Sequence, residues 1–90
     1  MMSFFLLLAL TNTPVQFSWK PSSAIGITHQ TLACGKVSGG PYTFATLQLQ
    51  PTASTTTIDM TTGETFYCVI TDTNWWNVTS KPSNQVTVTP

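Results

Sequence analysis

The stretch from Gly63 to Asp72, Gly-Glu-Thr-Phe-Tyr-Cys-Val-Ile-Thr-Asp, limits what this chain can fold into more than any other. Phe66, Cys68 and Ile70 put an apolar side chain at every second position, among β-branched and aromatic residues and behind a Thr-Thr-Gly turn. Successive side chains of a strand point to opposite faces, so this alternation describes a strand with one buried face. Such a strand needs neighbours, and the flanking sequence has to provide them.

It does so in short runs with no helical pattern. Val15, Phe17 and Trp19 alternate with Gln16, Ser18 and Lys20, and Lys20-Pro-Ser-Ser23 closes that strand. A weaker run from Ile25 to Cys34 follows, with Leu32 as its surest inward residue and Gln30 and Thr31 as poor core candidates. Gly35 to Pro41 is a turn by composition. Tyr42 to Leu49 reads as a strand, Pro51 to Ser54 as a loop, and Thr55 to Met60 as a strand that turns Ile58 and Met60 inward. Beyond the central strand, Thr73 to Ser80 is a polar loop ended by Lys81-Pro82, and Ser83 to Pro90 alternates Val86 and Val88 against Thr87 and Thr89. Six or seven strands, spaced by roughly ten residues, describe an all-β sandwich of two small sheets.

Ninety residues make one small domain with little stability to spare. Three basic residues (Lys20, Lys36, Lys81) and three acidic ones (Asp59, Glu64, Asp72) leave no charged surface for nucleic acid or an anionic membrane. Solubility rests on Thr, Ser, Asn and Gln, a composition that suits the outside of a cell or secretion from it. The apolar run Met1 to Leu10 is too short to span a bilayer. It resembles the apolar part of a secretory signal, although no Lys or Arg precedes it and no Ala-x-Ala follows; the other reading is a degenerate first strand. Residues 1–13 are therefore set apart from a domain at 14–90. Because the run Phe4 to Leu10 is apolar on both faces, it is also a candidate for self-association by edge pairing.

Cys34 and Cys68 stand 34 residues apart, without the close Cys and His grouping that zinc needs. They are either one disulfide of an oxidising compartment or two buried thiols acting as small hydrophobes. A bridge would contribute about 4 kcal/mol in the chain-entropy model.

Residues for chemistry are not assembled. His29 is the sole histidine and reads as an exposed or edge-strand residue, no Gly-x-Ser-x-Gly turn occurs, and the carboxylates are scattered. The glycines fit backbone turns and lack phosphate-binding spacing. The expectation is a chain with no catalytic residue, no metal and no cofactor. The feature that could act is Asn74-Trp75-Trp76-Asn77, where adjacent indoles offer rigid apolar area with polar edges to a protein or a carbohydrate. The competing reading folds one ring back over the end of the sandwich. Asn77-Val78-Thr79 also matches the N-glycosylation acceptor pattern.

Four pieces of sequence together resemble a fibronectin type III domain of the kind repeated in bacterial secreted and surface proteins. Val15-Gln-Phe-Ser-Trp-Lys-Pro-Ser22 is similar to the family's second strand, with Trp19 at its core tryptophan. Val37-Ser-Gly-Gly-Pro-Tyr-Thr43 resembles a turn of the bacterial repeats, and Met60-Thr-Thr-Gly-Glu-Thr-Phe66 sits where the family has Leu-x-Pro-Gly-Thr-x-Tyr. Ser83 to Pro90 looks like the closing strand. The likeness covers residues 14–90, with three departures: Phe66 replaces a tyrosine, Gln30 falls near a buried tyrosine position, and residues 1–10 lack the Pro-rich entry. The resemblance implies that Cys34 and Cys68 lie on neighbouring antiparallel strands of one sheet. An immunoglobulin domain fits less well, because Trp19 precedes both cysteines instead of lying between them. In the bacterial setting so implied, the acceptor pattern at Asn77 is read as chance. The function implied is that of an extracellular spacer or scaffold in a secreted or surface protein. The alternative is a module that binds protein or carbohydrate through Trp75 and Trp76.

Overall fold

The computed structural model describes residues 11–90. The run Met1 to Leu10, and with it the expectations of a first strand and of self-association, lies outside the described residues. Six strands follow in order: β1 (Asn12–Ser18), β2 (Ile27–Gly35), β3 (Ala45–Leu49), β4 (Thr55–Thr61), β5 (Phe66–Asn74) and β6 (Val86–Val88). They form two antiparallel sheets, β1-β4 and β3-β2-β5-β6, packed as a sandwich.

The period of two decides which side chains meet. Phe66 and Cys68 of β5, Leu32 and Cys34 of β2, Phe17 of β1 and Met60 of β4 are buried together. Val15, Trp19, Leu49, Ile58, Ile70 and Val88 pack around them, half-buried. The inward face expected from the alternation of Phe66, Cys68 and Ile70 is thus the face that carries the core.

β1 begins before the alternating run and contains Pro14, which a paired strand can hold only on an unpaired edge. The register explains how. Thr62 N–H donates to the Thr11 carbonyl at 3.1 Å and Trp19 N–H to the Ser54 carbonyl at 2.9 Å, at the two ends of an unbroken pairing with β4. The odd-numbered residues of β1 therefore aim their backbone groups at β4, and Pro14 faces away, where no ladder bond is lost.

Cys34 and Cys68 are register partners on β2 and β5, with Cα atoms 4.1 Å apart and their sulfurs bonded. Phe44 N–H donates to the Cys34 carbonyl at 2.8 Å, so the Cys34 backbone is turned toward β3 and the cysteines face each other as the closer, non-hydrogen-bonded kind of pair. The bridge lies within one sheet and does not join the two.

β6 is short, but the chain before it continues the pairing with β5. Ser80 N–H donates to the Asp72 carbonyl and Ser83 N–H to the Ile70 carbonyl, both at 2.8 Å. In return Asp72 N–H donates to Ser80 Oγ and Ile70 N–H to Ser83 Oγ, both at 2.9 Å. Each serine hydroxyl takes the place of a strand carbonyl, and Lys81-Pro82 can bulge outward without leaving a β5 amide unpaired.

Five sequence expectations change. Gln30 is 1% exposed and belongs to the interior. Its Nε2 donates to the carbonyls of Gln50 (2.9 Å), Pro51 (3.3 Å) and Ala53 (2.9 Å), and its Oε1 accepts from Trp19 Nε1 at 2.8 Å, which makes burial of the amide affordable. Trp19, expected as a core residue, is half-buried at the rim with its indole N–H on that glutamine. β3 starts at Ala45 and not at Tyr42, whose hydroxyl instead donates to Gln85 Oε1 at 2.8 Å and ties the turn to the segment before β6. Val86 is 48% exposed, because it borders an open groove between β1 and the β5–β6 side, with Phe17, Trp19, Leu32 and Ile70 also lining it. His29 is half-buried on β2, an inner strand of its sheet, and not on an edge.

Candidate functional site

The end of β5 and the loop entering β2 adjoin at one end of the larger sheet, and backbone chemistry fixes both. Ile27 pairs with Asn74 but His29 pairs with Thr73, so Thr28 is one extra residue in β2. This bulge is held by the Thr28 hydroxyl, which donates to the Thr73 carbonyl at 3.0 Å. A bulge twists and bends its strand, and here it carries residues 24–27 alongside the β5 terminus. Trp75 N–H then donates to the Gly26 carbonyl at 3.0 Å.

Asn74 holds the loop that follows. Its Oδ1 accepts from the N–H groups of both Trp76 and Val78, each at 3.0 Å. Its backbone closes the same turn: Asn74 N–H donates to the Val78 carbonyl at 3.1 Å and Asn77 N–H to the Asn74 carbonyl at 2.8 Å. Asn77 turns the chain at φ +62°, a conformation that asparagine tolerates better than most residues with a β-carbon. Thr79 then pairs with Thr73 in an isolated bridge. Of the four residues singled out in this loop, Asn74 and Asn77 make its frame, and Trp75 and Trp76 are what the frame presents.

The indoles are 61% and 72% exposed, next to Ile25 at 90% and Val78 at 59%. Trp75 lies over Gly26, where a β-carbon would come within 3.2 Å of its ring; Gly26 also has φ +88°. Folding one ring back over the sandwich is therefore not what happens. Trp75 covers a glycine of the neighbouring loop and still offers most of its surface. The two ring centroids are 5.4 Å apart with planes at 70°, an edge-to-face pair.

No protein-family model matches this chain, and no curated protein matches it in sequence. What the chain can do is read from its own residues. The apolar tip has no titratable group among Ile25, Trp75, Trp76 and Val78. Among the described residues, no three His, Cys, Asp or Glu side chains converge on a point that could hold a metal ion. The tip can exclude water from a complementary apolar surface and offer two indole N–H donors at its edge.

The groove beside Val86 is a concave feature of the described residues, separate from the tip. Its floor is the core cluster itself, including Phe17, Leu32 and Cys68. Sequence reasoning found the tryptophans from adjacency in a polar stretch. It missed Val78, an apolar residue standing alone in the loop, and Ile25, which it read as the start of a strand that in fact begins at Ile27.

Proposed function

We infer that this chain is a non-catalytic module of the fibronectin type III kind, working outside the cell in a secreted or surface protein and holding a protein partner through the loop Asn74–Asn77. The two-sheet sandwich supports an immunoglobulin-like module, and the disulfide supports an oxidising compartment. The observation that carries the binding role is the simultaneous exposure of Trp75 and Trp76 on a loop locked by four hydrogen bonds at Asn74. A preorganised aromatic anchor loses little conformational freedom on binding, and Trp is the residue most enriched where binding energy concentrates. The 70° angle between the rings favours a protein over a carbohydrate chain, since an extended sugar surface is best covered by rings that share a plane.

Site-specific photo-crosslinking in the cells that produce the chain tests this reading. A photoreactive residue at position 76 should capture one defined protein, and the same residue at the exposed β3 position Thr46 should not. Equal capture from both positions, or none from 76, would remove the loop as a binding site and leave the spacer role.

A further inference from the structure

We propose that Asn77 is an acceptor for an N-linked oligosaccharide, and that the loop carrying the two indoles is a modification site as well as a contact surface. Asn77-Val78-Thr79 is the one Asn-x-Ser/Thr sequence in the chain with a residue other than proline in the middle. Chance could place it anywhere, including a buried strand; the fold places it on an exposed loop. Asn77, Val78 and Thr79 are all exposed, and Asn77 stands at the apex of a tight turn with φ +62°. The loop is framed by the Asn74 side chain and by main-chain bonds, so a large group on Asn77 disturbs none of the contacts that hold the turn. The Cys34–Cys68 bond fits the same kind of compartment that carries out such transfers.

The chemistry is a glycosyl transfer from a lipid-pyrophosphate-linked oligosaccharide. Nδ2 of Asn77 attacks the anomeric carbon of the first sugar and the N–C bond forms. The bond from that carbon to the pyrophosphate oxygen breaks, the lipid pyrophosphate leaves with the electron pair, and a base of the host transferase takes one amide proton. The threonine two positions on supplies the hydroxyl that the acceptor pattern requires. Trp75 and Trp76 immediately precede Asn77, so the first sugars emerge from the same loop that presents both indoles.

The test uses the full chain secreted from a eukaryotic host, with intact-mass measurement before and after digestion by an N-glycosidase. The wild-type chain and Thr79→Ser should carry added mass in whole hexose and N-acetylhexosamine units that the enzyme removes; Thr79→Ala and Asn77→Gln should be secreted at their bare masses. Thr79→Ala keeps asparagine at the turn, so it decides the matter even if Asn77→Gln misfolds. A secreted, disulfide-bonded wild-type chain at bare mass overturns the proposal, as does added sugar that persists in Thr79→Ala. Occupancy is read by mass alone, so this outcome is independent of whether the loop binds a protein.

Discussion

The indole N–H of Trp19 donates to Oε1 of Gln30 at 2.8 Å, a polar tie between the residue just after β1 and the middle of β2 on the opposite sheet. The other end of the same amide donates to the Gln50, Pro51 and Ala53 carbonyls, so one glutamine fastens the β3–β4 turn to the interior. Gln30→Leu keeps most of the volume and leaves the Pro51 and Ala53 carbonyls and an indole N–H without a partner, while the Gln50 carbonyl still accepts from the Ala53 N–H. The expected loss is about 2–4 kcal/mol in chemical denaturation. Trp19→Phe removes only the N–H donor and some ring area, and should cost about 1–2 kcal/mol. A Gln30→Leu variant as stable as the wild type would show that the amide network is not what holds the turn.

Breaking the Cys34–Cys68 bond has a different signature, because the bridge acts largely on the unfolded chain. The double variant Cys34→Ala, Cys68→Ala should lose about 2–5 kcal/mol, a large share of the stability of a domain this size. Equal midpoints for oxidised and reduced wild type in urea would contradict it.

The serine rungs beside β5 predict a local effect. Ser80→Ala removes the acceptor of the Asp72 amide, and Ser83→Ala that of the Ile70 amide. Each should cost about 1 kcal/mol. Hydrogen exchange is the sharper readout: the Asp72 amide should exchange faster in the first variant only and the Ile70 amide in the second only. Acceleration spread evenly over β5 would mean that the hydroxyls are not the acceptors.

At the tip, position and function should separate. Trp76→Ala should change stability by less than about 0.5 kcal/mol, since that ring is 72% exposed. Gly26→Ala should cost about 1–3 kcal/mol, because φ is +88° there and the new methyl meets the Trp75 ring. Calorimetry on the two variants checks the order; a costlier Trp76→Ala would place that ring in the fold and not on its surface.

Strand positions and inward faces were legible where one period of two ran undisturbed, as in Phe66, Cys68 and Ile70 or Ile58 and Met60. Gln30 was not legible, because a buried amide is stabilised by carbonyls twenty or more residues away in sequence that no local pattern reveals. Val86 misled for the opposite reason: its alternation with Thr87 is sound, but the sheet opposite it offers a groove and not a cover. The tryptophan loop could be located by composition, yet its rigidity depends on Asn74, and its neighbour Ile25 comes from a loop that only the Thr28 bulge brings close.

The intrasheet position of the disulfide bears on how this chain would carry a pull along its length. A tension applied at the two ends of the described chain enters through β1 and leaves through β6. Once those strands yield, it passes from Cys34 directly to Cys68 through a covalent bond. β3 and β4 lie inside the bypassed loop and bear none of that load. A single molecule stretched between its ends should lengthen by the residues outside the 34-residue separation and then stop. Only a reductant would release the rest, which makes the extensible length of this module a property set by redox state.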